Sequence, residues 1–376
     1  MPESTLPPVG LNRRNFLRKS AITAAAVPAA SALLTLAGQS AARAAAAPSS
    51  SRRAPVRVRK NVKDLSITEK QDLVSAFVQL KRIPSPWNPA YSYYDQFVWW
   101  HKHAFDCDIS AAHMQPSFCP WHRLFALMME NALIDVSHGD VTGLPYWDWT
   151  DPVSTTAVFS TSLMGPEGDP AANYAVTQGA FRRQRWRLNV LDPKVADPNR
   201  YRWLVRRFGT PIAPALPTTN QVANTLATPY YDVTPFDPGS PIQLSFRNHL
   251  EGWKNRLGMT CEDGLMNPVN GPHAKSIMHN QVHLYTGGIW GPDTHPQLGT
   301  MVLNTSTNDP VFFLHHSQID RLWNMWEDSH GMVYEPSSGL PPGQNLNDSM
   351  WPFNTIGDYT TIADLLDIST LGYEYA

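Results

Sequence analysis

Histidine is the residue type in this chain placed to do chemistry. His101, His113 and His122 come early, in WWHKHAF and HMQPSFCPWHRLF; His279, His283 and His316 come late, in MHNQVH and NDPVFFLHHSQIDRLW. Neutral imidazole offers one nitrogen lone pair to a borderline metal. Two sets of three, with few carboxylates nearby, point to a pair of metal ions held entirely by nitrogen. Three protein ligands per ion leave positions open for an exogenous molecule, the mark of a catalytic site.

The spacing indicates what must position these rings. His279 and His283 stand four residues apart, so a helix puts both on one face, about 6 Å apart at Cβ, and a following helix supplies His316. In the early half His101 falls on one helix, His122 on the next and His113 in the connection. HNQVH has the outline of the zinc-protease HExxH, but Asn280 stands where the glutamate base would be, which argues against proteolysis. Di-iron bundles take Glu and Glu-x-x-His ligands, and neither cluster supplies them. All-imidazole ligation makes copper the first expectation and zinc the second.

Apolar periodicity places helices over 68–80 with Thr68 as N-cap, over 93–105 carrying His101, and through 122–136 with Pro120 in the first turn. Helical patterning returns at 277–285 and 310–326, and the proline-rich stretch 148–241 reads as irregular. Strand-like segments are sparse. The fold class expected is mainly α: an antiparallel four-helix bundle core holding the metal site, with long irregular loops and few short strands.

The 376 residues are 42% hydrophobic, enough to bury a substantial core, and the formal net charge of −2 carries no basic stripe of the kind nucleic acid requires. Three cysteines, Cys107, Cys119 and Cys261, cannot make a disulfide framework, although one bridge between Cys107 and Cys119 is open alongside a buried free Cys119. Residues 1–44 read as a twin-arginine export signal, with Arg13-Arg14 ahead of an Ala-rich run and Ala42-Arg43-Ala44 as the cleavage site. That run is broken by Pro28 and falls short of about 20 strongly apolar residues, so no stable membrane anchor is expected. Residues 45–54 read as a disordered linker, and 55–376 as one catalytic domain.

At this point the motifs carry a resemblance. YDQFVWWH, HMQPSFCPWHR, LPYWDWTDP, FRNHLEGW, HNQVH followed by GG, and NDPVFFLHHSQIDRLW resemble, in order, the tyrosinase family of type 3 copper proteins. LDISTLGYEYA is similar to the tyrosine motif that closes the family's catalytic domain. The resemblance implies two copper ions per chain, the first on His101, His113 and His122 and the second on His279, His283 and His316. In the HH pair the family uses the second histidine, so His315 takes a supporting role, and His103 points elsewhere on its helix. The resemblance also implies a phenol oxidase that uses O2 to hydroxylate monophenols and to convert o-diphenols to o-quinones. Glu251 and Asn280 match the pair that holds a proton-accepting water.

The resemblance also shows departures. Where fungal relatives cross-link a cysteine to the second histidine of the first site, this chain has Ala111. Some bacterial relatives depend on a small copper chaperone that carries the export signal; this chain has its own signal, which makes a copper chaperone an optional partner. An N-terminal arginine that packs on the tyrosine motif is expected to be Arg59, with Arg57 the alternative. The competing functions are a catechol oxidase or an o-aminophenol oxidase of secondary metabolism, with substrate entry governed by Leu284 and residues 287–308. A different class is an O2 carrier, which a single exported domain without tandem repeats does not favour.

Overall fold

The computed structural model describes residues 56–105, 111–192, 202–253, 276–292 and 296–376. The signal and linker expected over 1–54, Cys107, Cys261, His273 and His295 lie outside them. The fold is mainly α. Helix α1 (Ile67–Leu80) starts two residues earlier than the periodicity suggests, because Ser66 rather than Thr68 caps it. The Ser66 side chain accepts the Glu69 N–H and the Glu69 carboxylate accepts the Ser66 N–H, a reciprocal cap that satisfies two otherwise orphaned donors. Ser92 starts α2 (Tyr93–Ala104) by accepting the Asp95 N–H at 3.0 Å.

Helix α3 (Phe118–Val136) is buried along nearly its whole length. Among its described residues the stretch 148–241 is irregular as expected, apart from α4 (Pro152–Val158), α5 (Thr219–Leu226) and a 3-10 turn at Pro170–Ala172. Helix α6 (Phe246–Glu251) ends at Gly252, and α7 (Met278–Gly287) follows the undescribed residues 254–275. Strands β2 (Ile289–Trp290) and β3 (Gln297–Leu298) form a short antiparallel pair. Helix α8 (Val311–His330) runs from Pro310 to a stop at Gly331. The short helix α9 (Ile368–Leu371) leads into β4 (Tyr373–Tyr375), which pairs in parallel with β1 (Arg57–Arg59), Arg59 opposite Tyr375.

Helices α3 and α8 pair most extensively, while α2 and α7 reach the core largely through the 3-10 turns Ser306–Asn308 and Thr300–Val302. Aromatic rings fill the join: Phe125 lies 5.2 Å from Phe97 and 5.6 Å from Phe313, centroid to centroid. Burying such rings adds to the apolar gain from the aliphatic core around them, with edge and offset contacts adding specificity. Among the described residues no helix is long and apolar enough to cross a membrane.

Candidate metal centre

The core of α2, α3, α7 and α8 is lined by imidazoles. His101 comes from α2, His113 from the connection to α3, and His122 from the first turns of α3. Their ligating nitrogens lie within 4.8 Å of one another. His279 and His283, one turn apart on α7, gather likewise with His315 and His316 of α8. All seven are buried.

Backbone oxygens orient the rings. His101 Nδ1 donates to Asn304 O at 2.9 Å, His122 Nδ1 to Phe118 O at 2.8 Å, and His283 Nδ1 to Met301 O at 2.6 Å. His279 Nδ1 donates to Asn280 Oδ1 at 2.9 Å. Each partner can only accept, so each Nδ1 carries the proton and each Nε2 carries the lone pair. Those four Nε2 atoms are buried without a hydrogen-bond partner. An unpartnered buried nitrogen is costly unless something else takes the lone pair, and the donor set fits a copper ion in each group.

Electrostatics points the same way. Burial lowers the pKa of every ring, that of His101 to about 3 and that of His283 to about 4, against the hydrogen bonds to Asn304 and Met301 that raise them. His113, His122, His279, His315 and His316 are lowered well below the ordinary value, by burial first and by neighbouring histidines, His101 and His283 among them. The rings are therefore neutral near pH 7 and available as ligands.

The two groups face each other. His122 and His316 stack at 4.1 Å with planes 15° apart, and His113 approaches His279 to 5.8 Å. His315, set aside by the sequence reading, lies within the second group, its ring 4.9 Å from His283, stacked on His279 at 5.1 Å and 5.2 Å from Trp149. His103 lies outside both groups: its Nδ1 donates to Trp99 O at 2.8 Å and its ring packs on Trp99. Cys119 is a free, buried thiol.

Glu251 and Asn280 are both fully buried, on the adjoining helices α6 and α7. Glu251 accepts the Met114 N–H at 2.7 Å through Oε1 and an Arg247 N–H at 3.2 Å through Oε2. Burial pushes its carboxyl up to about 7, and the Arg247 guanidinium works against that rise. Asn280 uses Oδ1 on His279 and leaves Nδ2 buried and unpartnered. The two residues do not bond each other directly. Sequence reasoning located both but missed Arg247 and Met114 as partners of Glu251: both stand inside quoted motifs, yet nothing in a motif says which side chain its backbone or guanidinium will meet, and the Met114 contact spans 137 positions.

Beneath the histidines a buried charge network ties β1 and β4 to α3 and α8. The Arg59 guanidinium lies 3.6 Å from the Tyr373 ring centroid and donates to Glu130 and Asp320. Arg123 donates to Asp320 and Glu327. Arg59 is thus the arginine on the tyrosine motif, while Arg57 donates to Asn131 and Leu371 O.

The common central domain of tyrosinase matches residues 91–329, a span that contains both histidine groups. The chain belongs to the tyrosinase family. It is 35% identical over 318 residues to a tyrosinase of Streptomyces glaucescens, covering 82% of this chain and 96% of that one. It is 34% identical over 340 residues to grixazone synthase of Streptomyces griseus, covering 83% and 97%. A polyphenol oxidase variant from Thermothelomyces thermophila shares the fold, with a TM-score of 0.56 at 22% identity over 85% of this chain and 89% of that one. As a tyrosinase-family member the protein is a copper-dependent oxidoreductase that oxidises phenols with O2 and uses two copper ions per chain.

Proposed function

We propose that His101, His113 and His122 hold one copper and His279, His283 and His316 the other, and that the enzyme both hydroxylates monophenols ortho to the hydroxyl and oxidises o-diphenols to o-quinones. The observation that carries this reading is the pair of facing, fully buried imidazole groups whose free nitrogens converge. His316 is preferred to His315 because its ring stacks on His122, across from the first group.

When bound, the copper pair supplies the redox couple through which O2 oxidises the phenol. The protein handles the proton. A phenol ionises near pH 10, far above neutrality, so a base close to the ring oxygen is needed. Asn280 Nδ2 can donate to a water whose own O–H donates to a Glu251 carboxylate oxygen. That water takes the phenolic proton as Glu251 takes one from it. A carboxyl raised to about 7 is a better base for this transfer than an ordinary glutamate.

A second reading, an o-aminophenol or catechol oxidase of secondary metabolism, is favoured by the 34% identity to grixazone synthase, close to the 35% to a tyrosinase. Turnover of tyrosine, a catechol and an o-aminophenol by copper-loaded protein separates the two. Hydroxylation of the monophenol supports the first reading, and oxidation of the other two alone refutes it. Residues 1–44 are proposed as a twin-arginine signal, 45–54 as a linker and 55–376 as the catalytic domain. Export of a folded reporter fused to 1–44, lost when Arg13 and Arg14 are replaced by Lys, tests the signal. Copper uptake by the isolated chain tests the need for a chaperone.

A further inference from the structure

Met114, next to His113, has φ 64°, a left-handed backbone that a long side chain adopts only when its surroundings impose it. Two contacts do so. Its N–H donates to Glu251 Oε1 at 2.7 Å, and its side chain packs with Trp253 in a small buried cluster bordered by Phe105. Phe105 in turn stacks on the His113 ring at 3.8 Å. Between Glu251 and Trp253 stands Gly252, φ 100°, where an added Cβ would lie 2.0 Å from Ile277 O. The end of α6 therefore presses on the residue just ahead of α7, which carries His279 and His283, and the Ile277 N–H donates to Gly252 O at 3.3 Å. Arg247, held by Asp232 at 2.8 Å, steadies the other carboxylate oxygen at 3.2 Å.

We propose that Glu251 is a positioning residue for His113: its Oε1 fixes the left-handed turn at Met114 that aims His113 at His101 and His122. Residues 251–253 then form a clasp that sets one metal group relative to the other. The inference rests on reading His113 as a copper ligand. Proton transfer needs the charge of the carboxylate, whereas holding an N–H needs only an oxygen at that place.

Three variants separate these demands. Glu251→Gln keeps an oxygen for Met114 and loses the charge. Glu251→Met keeps the length without an acceptor, and His113→Ala removes the ring. Copper per chain is measured after dialysis against a chelator. The expected result is full copper in the parent and in Glu251→Gln, and loss of about half in Glu251→Met and His113→Ala. Adding Met114→Gly to Glu251→Met relieves the left-handed strain and restores copper toward the parent level. Full copper in Glu251→Met beside a loss in His113→Ala overturns the clasp and leaves the ligand reading standing. Equal losses in the Gln and Met variants overturn it too, since charge would then hold the site. Full copper in His113→Ala overturns the ligand reading, and the proposal with it. Hydrogen exchange on the unmodified, copper-free chain needs no variant to fold. The Met114 amide is expected to exchange about a hundredfold slower than an open loop amide, and unprotected exchange overturns the proposal.

Discussion

His122 and His316 stack face to face, 4.1 Å between centroids and 15° between planes, although one lies at the start of α3 and the other in α8. The stack is where the two imidazole groups meet, and it rests on the most extensive helix pair of the fold. Movement of either helix would change the separation of the two groups, which ties the site to the packing of Phe125, Phe312 and Phe313 around it.

Removing one ring from either side should disable the centre. His122→Ala or His283→Ala is expected to lower copper to about one ion per chain and to bring catechol turnover to the uncatalysed background, because three nitrogens are the least that define an open catalytic site. His138→Ala, at an exposed position far from both groups in the chain, should leave both quantities unchanged. Full copper and turnover in His283→Ala would refute the ligand assignment.

The proton step should show in the pH profile of monophenol hydroxylation. Glu251 works as a base only when ionised, and burial raises its pKa to about 7. The rate is therefore expected to rise with pH and to level off above an inflection at about 7 or below, since nearby copper charge can only lower that pKa. Glu251→Gln should abolish the rise in kcat/KM for a monophenol while catechol oxidation keeps its profile. A monophenol profile unchanged by the substitution would exclude Glu251 as the base.

Copper-free protein should lose stability on acidification. Burial holds the pKa values of the site histidines below 6.5, to about 3 for His101 and about 4 for His283. The unfolded chain then binds more protons than the fold over this range, so stability rises with pH in that window. It is fully present above about 6.5 and declines progressively as pH falls from there toward 3. Thermal melts between pH 7.5 and 4 check this. Copper should shift the decline to lower pH by competing with protons for the same nitrogens.

Arg59→Met should be costly even though it leaves the histidines in place. It would take one guanidinium from Glu130 and Asp320, both buried, leaving Arg57 on the first and Arg123 with the Tyr373 and Tyr375 hydroxyls on the second, and remove the cation over the Tyr373 ring. Burial pushes the Asp320 carboxyl up, and Arg123 and Arg59 more than reverse this, so Asp320 stays below its ordinary pKa. Losing one partner of such a buried network typically costs about 3–5 kcal/mol. Denaturant unfolding measures it, and a loss under about 1 kcal/mol would mean that the remaining partners, Arg57 on Glu130 and Arg123 with the two tyrosine hydroxyls on Asp320, satisfy the carboxylates without Arg59.

By itself the sequence determined the type of chemistry and the local elements. Periodicity and caps located the five long helices to within a few residues, but missed Ser66 as the cap of α1, the last four residues of α8, the short helices within 148–241, and α6 and α9. Spacing put His279 and His283 on one helical face, and motif order pointed to the family. These features depend on residues near one another in the chain. Tertiary structure decided which nitrogen of His101 and of His283 carries the lone pair, because the carbonyls of Asn304 and Met301 fix their tautomers, the first from 203 positions away. It also decided that His316 rather than His315 faces His122, and that Glu251 is shared between Arg247 and the turn after His113. Such relations arise when distant segments are packed and their buried polar groups must find partners. No local pattern encodes them.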